Sequence, residues 1–200
     1  TAQGPIMNVY SAATGQILYV LPGSRYVAAA SDLDGDGVRD FATAGDPAIL
    51  IGYLYYGRVE MRSGVDGSIL WTTISPLATA VGNQLGLDMQ SGGDVNGDGY
   101  HDIFSLDNPF SNGVIGRVLS GRTGAILMDI EKTDMSSSRG CVPARFEMTR
   151  VLGDLDGDGY AEFAASDPVY SECGTRPLVY RGRIYIFRGG PGGETERLCD

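Results

Sequence analysis

An acidic segment of nine residues occurs three times in this chain: Asp32-Leu33-Asp34-Gly35-Asp36-Gly37-Val38-Arg39-Asp40, Asp94-Val95-Asn96-Gly97-Asp98-Gly99-Tyr100-His101-Asp102 and Asp154-Leu155-Asp156-Gly157-Asp158-Gly159-Tyr160-Ala161-Glu162. Oxygen-bearing side chains fall at positions 1, 3, 5 and 9 of each: Asp32, Asp34, Asp36 and Asp40; Asp94, Asn96, Asp98 and Asp102; Asp154, Asp156, Asp158 and Glu162. Oxygen donors without His or Cys suit a hard cation, and calcium takes roughly 6–8 of them. The carbonyl at position 7, from Val38, Tyr100 or Tyr160, is expected to complete each shell. Glycine at position 6 (Gly37, Gly99, Gly159) permits the sharp turn between ligands. Magnesium is the poorer fit, because it rarely takes an all-protein cage. An EF-hand would need a bidentate Glu at position 12, where this chain has Thr43, Ser105 and Ala165. The expectation is three Ca2+ sites on hairpin loops, the second the weakest because Asn96 replaces a carboxylate.

The competing reading is a set of solvated Asx turns. Against it, near-adjacent carboxylates repel one another without a cation. Of the 25 carboxylates in the chain, 11 fall at these positions, and three calciums would bring the net charge from −10 to −4. The expected role of the metal is structural: it cross-links two strands in a turn-rich chain.

The elements that hold these loops repeat with them. The first residues of the loops are 62 and 60 positions apart. A second motif recurs out of phase: Ser11-Ala12-Ala13-Thr14-Gly15-Gln16-Ile17-Leu18, Ser63-Gly64-Val65-Asp66-Gly67-Ser68-Ile69-Leu70 and Ser120-Gly121-Arg122-Thr123-Gly124-Ala125-Ile126-Leu127. A third reads Gly57-Arg58-Val59, Gly116-Arg117-Val118 and Gly182-Arg183-Ile184. Residues 25–31, 86–93 and 145–152 read as strands entering the acidic loops, and 40–46, 102–107 and 162–167 as strands leaving them. Thr14-Gly15, Asp66-Gly67 and Thr123-Gly124 read as hairpin turns. In 182–188, Ile184 and Ile186 alternate with Tyr185 and Phe187, the period of a strand. Each unit is expected to be a four-stranded antiparallel meander, and meanders at fixed period imply an all-β, propeller-type fold. Strand counting gives a half-blade 1–23 and blades 24–75, 84–131 and 145–200, an open or incomplete propeller of about three and a half repeats.

The unit resembles the FG-GAP repeat of integrin alpha-subunit propellers and their bacterial relatives. Leu85-Gly86 lies at the "FG" position before Asp94, with Leu for Phe. Gly45-Asp46-Pro47 and Ser166-Asp167-Pro168 lie at the "GAP" position, with Asp for Ala. The resemblance implies a calcium loop between strands one and two of each blade. In that blade geometry Cys141 and Cys173 emerge on the face opposite the calcium loops and make the favoured disulfide, with Cys199 the alternative partner of either. A bridge implies an oxidising, extracellular compartment.

Composition removes several classes. Thirty glycines in 200 residues argue against long helices, and the net charge of −10 argues against nucleic acid despite 14 arginines beside the single Lys132. No apolar run approaches the roughly 20 residues of a membrane span. No phosphate loop or dinucleotide fingerprint is present, and Ser91, Ser111 and Ser136 to Ser138 have no base to form a triad, so no enzyme activity is expected. His101, the single histidine, reads as a solvated side chain of the second loop, and Trp71 as outer packing rather than a sugar platform. The apolar stretch 48–56 reads either as strand buried between blades or as an exposed patch for a partner. The chain begins at Thr1, which fits a mature secreted chain, a trimmed chain or a fragment.

Three function classes stay open. One is an extracellular structural subunit whose incomplete blades are completed head-to-tail by neighbouring copies, as a homo-oligomer or filament. Another is an adhesion or ligand-binding module cut from a larger propeller, which would meet an extracellular protein or glycan. The last is an accessory domain of a secreted carbohydrate-active enzyme.

Overall fold

The computed structural model describes residues 6–45, 49–51, 54–74, 85–106, 114–131, 148–167 and 182–191. These form fifteen strands and, among the described residues, no α-helix. They are β1 (Ile6–Tyr10), β2 (Ile17–Pro22), β3 (Ser24–Ala29), β4 (Phe41–Gly45), β5 (Ile49–Ile51), β6 (Leu54–Tyr56), β7 (Arg58–Arg62), β8 (Ile69–Ile74), β9 (Met89–Gly93), β10 (Asp102–Leu106), β11 (Val114–Leu119), β12 (Ile126–Glu131), β13 (Met148–Gly153), β14 (Glu162–Asp167) and β15 (Arg183–Phe187). All pairing is antiparallel, in sheets ordered β1-β2, β3-β4-β7-β8, β5-β6, β9-β10-β11-β12 and β13-β14-β15. The two expected meanders are present as four-stranded sheets. The third unit shows three strands; residues 192–200, where a fourth would fall, lie outside the described residues, as do all three cysteines.

Glycines shape the corners. At the hairpin turns Gly15, Gly67 and Gly124 have φ of 70°, 76° and 73°, and each donates its N–H back to the carbonyl of Ser11, Ser63 or Ser120. The second unit departs from expectation before its acidic loop. Residues 85–88 form a turn, and strand begins only at Met89. Gly86, at φ 97°, donates to Ser105 Oγ and the Leu106 carbonyl, and a Cβ there would lie 2.3 Å from the Ala44 Cβ of the preceding sheet. Gly86 is therefore the contact point between two sheets, with Leu85 buried beside it.

Two cores lie between successive sheets. The first joins Ala28, Ala42, Ala44, Val59 and Met61 to Met89, Ile103 and Leu119. The second joins Phe104, Leu106, Val118 and Ile130 to Phe163, Ala165, Tyr185 and Phe187. β10 is buried at every position because neighbours in its pleat face opposite cores: Ile103 enters the first and Phe104 the second. Phe104 meets Phe163 edge-on at 4.8 Å, and Phe163 stacks on Phe187 at 5.0 Å. Each fully buried phenylalanine contributes about 1.5–3 kcal/mol. In β15 the aromatic face is the buried one, with Ile184 exposed.

The register corrects one repeat. Glu60, Arg117 and Tyr185 occupy the same place, opposite Thr43, Ser105 and Ala165. Arg117 thus aligns with Glu60 and not with Arg58, so Gly116-Arg117 sits two residues out of step with the other Gly-Arg pairs. All three of these side chains are buried, and Arg117 donates from Nε to Asp129 Oδ1 at 2.7 Å. In the apolar stretch 48–56, residues 49–51 and 54–56 are described. β5 and β6 make a separate hairpin between β4 and β7, with Ile49 opposite Tyr56.

Candidate metal centre

Each acidic loop joins the first two strands of its sheet: β3 to β4, β9 to β10, and β13 to β14. The first carboxylate shapes the loop. Asp32 accepts from the amides of Gly35 and Gly37 at 2.8 and 2.9 Å. Asp94 accepts from Gly97 and Gly99 at 2.6 and 2.7 Å, and Asp154 from Gly157 and Gly159 at 2.7 and 2.9 Å. Position 3 accepts from the amide of position 5, and position 5 from that of position 7, namely Val38, Tyr100 and Tyr160. Two glycines per loop make this winding possible. Those at position 4 (Gly35, Gly97, Gly157) have positive φ like those at position 6, a requirement the sequence reading assigned to position 6 alone.

The position-9 carboxylate does something different. Asp40 is buried and accepts from the amides of Leu33 and Gly64 at 2.7 and 3.0 Å. Asp102 accepts from Val95 and Gly121 at 2.8 and 3.0 Å, and from Asn96. Each clamps its loop to the hairpin turn between the third and fourth strands, at the same end of the sheet. Glu162 has one methylene more. Its Oε2 repeats the loop contact, accepting from Leu155 at 2.7 Å, while its buried Oε1 meets no hydrogen-bond donor.

Two groups of carboxylates converge among the described residues. Oxygens of Asp32, Asp34 and Asp36 lie within 4.8 Å of one another, and so do those of Asp154, Asp156 and Glu162. In water such a pair repels by roughly 1 kcal/mol, which a divalent cation would reverse. Of the expected ligands, Asp40 stands outside the first group and Asp158 outside the second. Asp158 and Asp156 share the guanidinium of Arg188, whose Nη2 lies 2.9 and 2.7 Å from them. The second loop shows no such convergence: Asn96 Nδ2 points at Asp98 Oδ2, at 3.4 Å. That loop is also the most covered, for Tyr160 packs on Gly97, Ala161 donates to the Asp94 carbonyl and Gly190 to that of Val95.

Sequence reasoning missed two parts of this region. Gly64 and Gly121 serve the loops through their amides. Arg188, just past β15, reaches the third loop from the place held in the other units by Ser63 and Ser120. The signal was available, because Gly189 aligns with Gly64 and Gly121 once the strand register is known. His101 donates its amide to Ser31 Oγ of the preceding unit at 3.0 Å, a packing role. Trp71 donates from Nε1 to the Gly121 carbonyl at 2.9 Å, and Tyr19 donates likewise to Gly64 at 3.2 Å, so outer aromatics latch each sheet to the next turn.

No family model matches the chain, and no curated protein is significantly similar to it. Its chemistry therefore rests on the loops themselves. The described residues contain no helix long and apolar enough to cross a membrane.

Burial pushes the Asp102 carboxyl up to about 6; the Gly121 and Val95 amides pull it down, and the Asp98 and Asp94 charges raise it again. Its ordinary value is about 3.9, so in chelator-treated protein the folded state holds an extra proton between the two values. The stability this protonation contributes is complete below pH about 4 and is lost as the pH rises through about 6. Carbon-detected NMR titration of the carboxyl should give a midpoint near 6, and one below about 4.5 would contradict the burial.

Proposed function

We propose that this protein is an extracellular calcium-binding structural protein built from FG-GAP-like propeller blades. The observation that carries the reading is the convergence of Asp32, Asp34 and Asp36, and of Asp154, Asp156 and Glu162, on wound loops of the same design. Oxygen-only donors on flexible glycine loops favour calcium over magnesium. The blade reading is supported by the way the sheets meet. β3 lies against β9, and β9 against β13, so the loop-entering strands of successive sheets adjoin, as inner strands do around a propeller axis. Calorimetric titration of chelator-treated protein with calcium should find at least two sites, the one at the first loop the tighter. Fewer than two, or magnesium binding equally well, overturns the metal reading.

The structural role extends to assembly with a second copy. β1 and β2 form a two-stranded sheet on which Ile6, Tyr10, Ile17, Leu18 and Val20 are all exposed. Unpaired strand edges beside apolar faces recruit other strands. Head-to-tail contact between this hairpin and the third sheet of another copy would give a ring or a filament. Sedimentation of the calcium-loaded chain separates this from a lone module: a monomer at high concentration excludes it.

A further inference from the structure

The three loops neutralise their charge in different ways. The first gathers three carboxylates, and among the described residues no ion pair involves them. The second has an amide, Asn96, donating to Asp98. The third carries Arg188 on Asp156 and Asp158. The units also differ at the residue following the third strand. Ser63 and Ser120 turn inward there, with their hydroxyls on the amides of Val65 and Thr123. Arg188 in the same place extends to the acidic loop.

We infer that Arg188 is a tethered competitor of the metal at the third loop, its guanidinium and a divalent cation excluding one another from Asp156 and Asp158. The inference rests on the calcium reading above and adds a regulation to one of its sites. That the third loop is built for a ligand beyond Arg188 is indicated independently by Glu162. Its carboxylate is fully buried, Oε1 meets no donor, and a Glu162 carboxylate oxygen lies within 4.8 Å of oxygens of Asp154 and Asp156. A cation between these three oxygens would draw Asp156 away from the guanidinium. Calcium must then displace a fixed positive charge at the third loop and, among the described residues, none at the first. The same charge offsets carboxylate repulsion when calcium is scarce, so the third loop keeps its winding without metal. Arg188 lies two residues before Gly190, which donates to the Val95 carbonyl at 2.9 Å, so displacement of the arginine would act close to a contact with the second loop.

The test compares calcium titrations of the intact chain and its R188S variant by calorimetry, with D34N marking the first-loop site in both. R188S installs the residue found in the other two units. R188Q, which keeps the side-chain stem, serves as a second variant should R188S fold poorly. The expected result is a site tightened about fivefold by loss of the half-exposed ion pair, with the D34N-sensitive site unchanged. A second expected result is a lower melting temperature for the variant in chelator but not in calcium. Wild-type binding with no tightening in either variant overturns the role of Arg188 and leaves the calcium reading standing. Absence of calcium binding in wild type and variants alike overturns both.

Discussion

Adding a chelator to the calcium-saturated protein is expected to lower its melting temperature by roughly 10–20 °C. A ligand that binds only the folded chain stabilises it by about 2.7 kcal/mol per site when free at about a hundred times its dissociation constant. Two such sites contribute about 5 kcal/mol, and a chain of this size shifts by roughly 2–4 °C per kcal/mol. The loops suit this linkage because the unfolded chain has no preformed cage. Differential scanning calorimetry with and without chelator reads the shift directly. D32N should remove part of it by replacing the carboxylate that winds the first loop. A chelator shift below about 2 °C would mean that the acidic loops are hydrogen-bonded turns and nothing more.

Replacing Gly121 by alanine is expected to cost about 3–5 kcal/mol, near the upper end for single substitutions. A Cβ at Gly121 would stand 1.8 Å from the His101 carbonyl oxygen, and backbone cannot rotate away as a side chain can. Moving the turn outward would break two further bonds: the Gly121 amide to Asp102 and the Trp71 indole to the Gly121 carbonyl. The same approach recurs at Gly64, where an added Cβ would stand 2.1 Å from the Arg39 carbonyl oxygen. Gly15 is the control. Its φ of 70° is equally unfavourable for alanine, but nothing lies within 4 Å of the added Cβ, so G15A should cost only about 1 kcal/mol. Denaturant unfolding of both variants makes the comparison. Equal costs would show that the turn of the second sheet does not press on its acidic loop.

Sequence periodicity was enough to define most of the local structure. Spacing placed the three acidic loops between strands, because alternating carboxylates and paired glycines admit few backbone conformations. The Thr-Gly and Asp-Gly turns were legible for the same reason: each needs a left-handed residue that glycine supplies without strain. The alternation in 182–188 likewise sorted Tyr185 and Phe187 from Ile184. These signals are local, each contained within a few residues.

What the tertiary structure decided depends on residues far apart in the chain. The position-9 residues looked alike in sequence, yet Asp40 and Asp102 clamp their loops to turns at Gly64 and Gly121, while Glu162 keeps Oε1 without a donor and lies in the group with Asp154 and Asp156. Arg117 matched Arg58 by motif but aligns with Glu60 by register, because strand pairing follows the hydrogen-bond ladder and not residue type. Arg188 reaches Asp156 and Asp158 across a gap of about thirty residues that no motif spans. The sequence determined which residues can offer oxygen to a cation. Only packing of the outer turns against the loops decided which carboxylates converge, which are held by backbone amides and which meet a guanidinium.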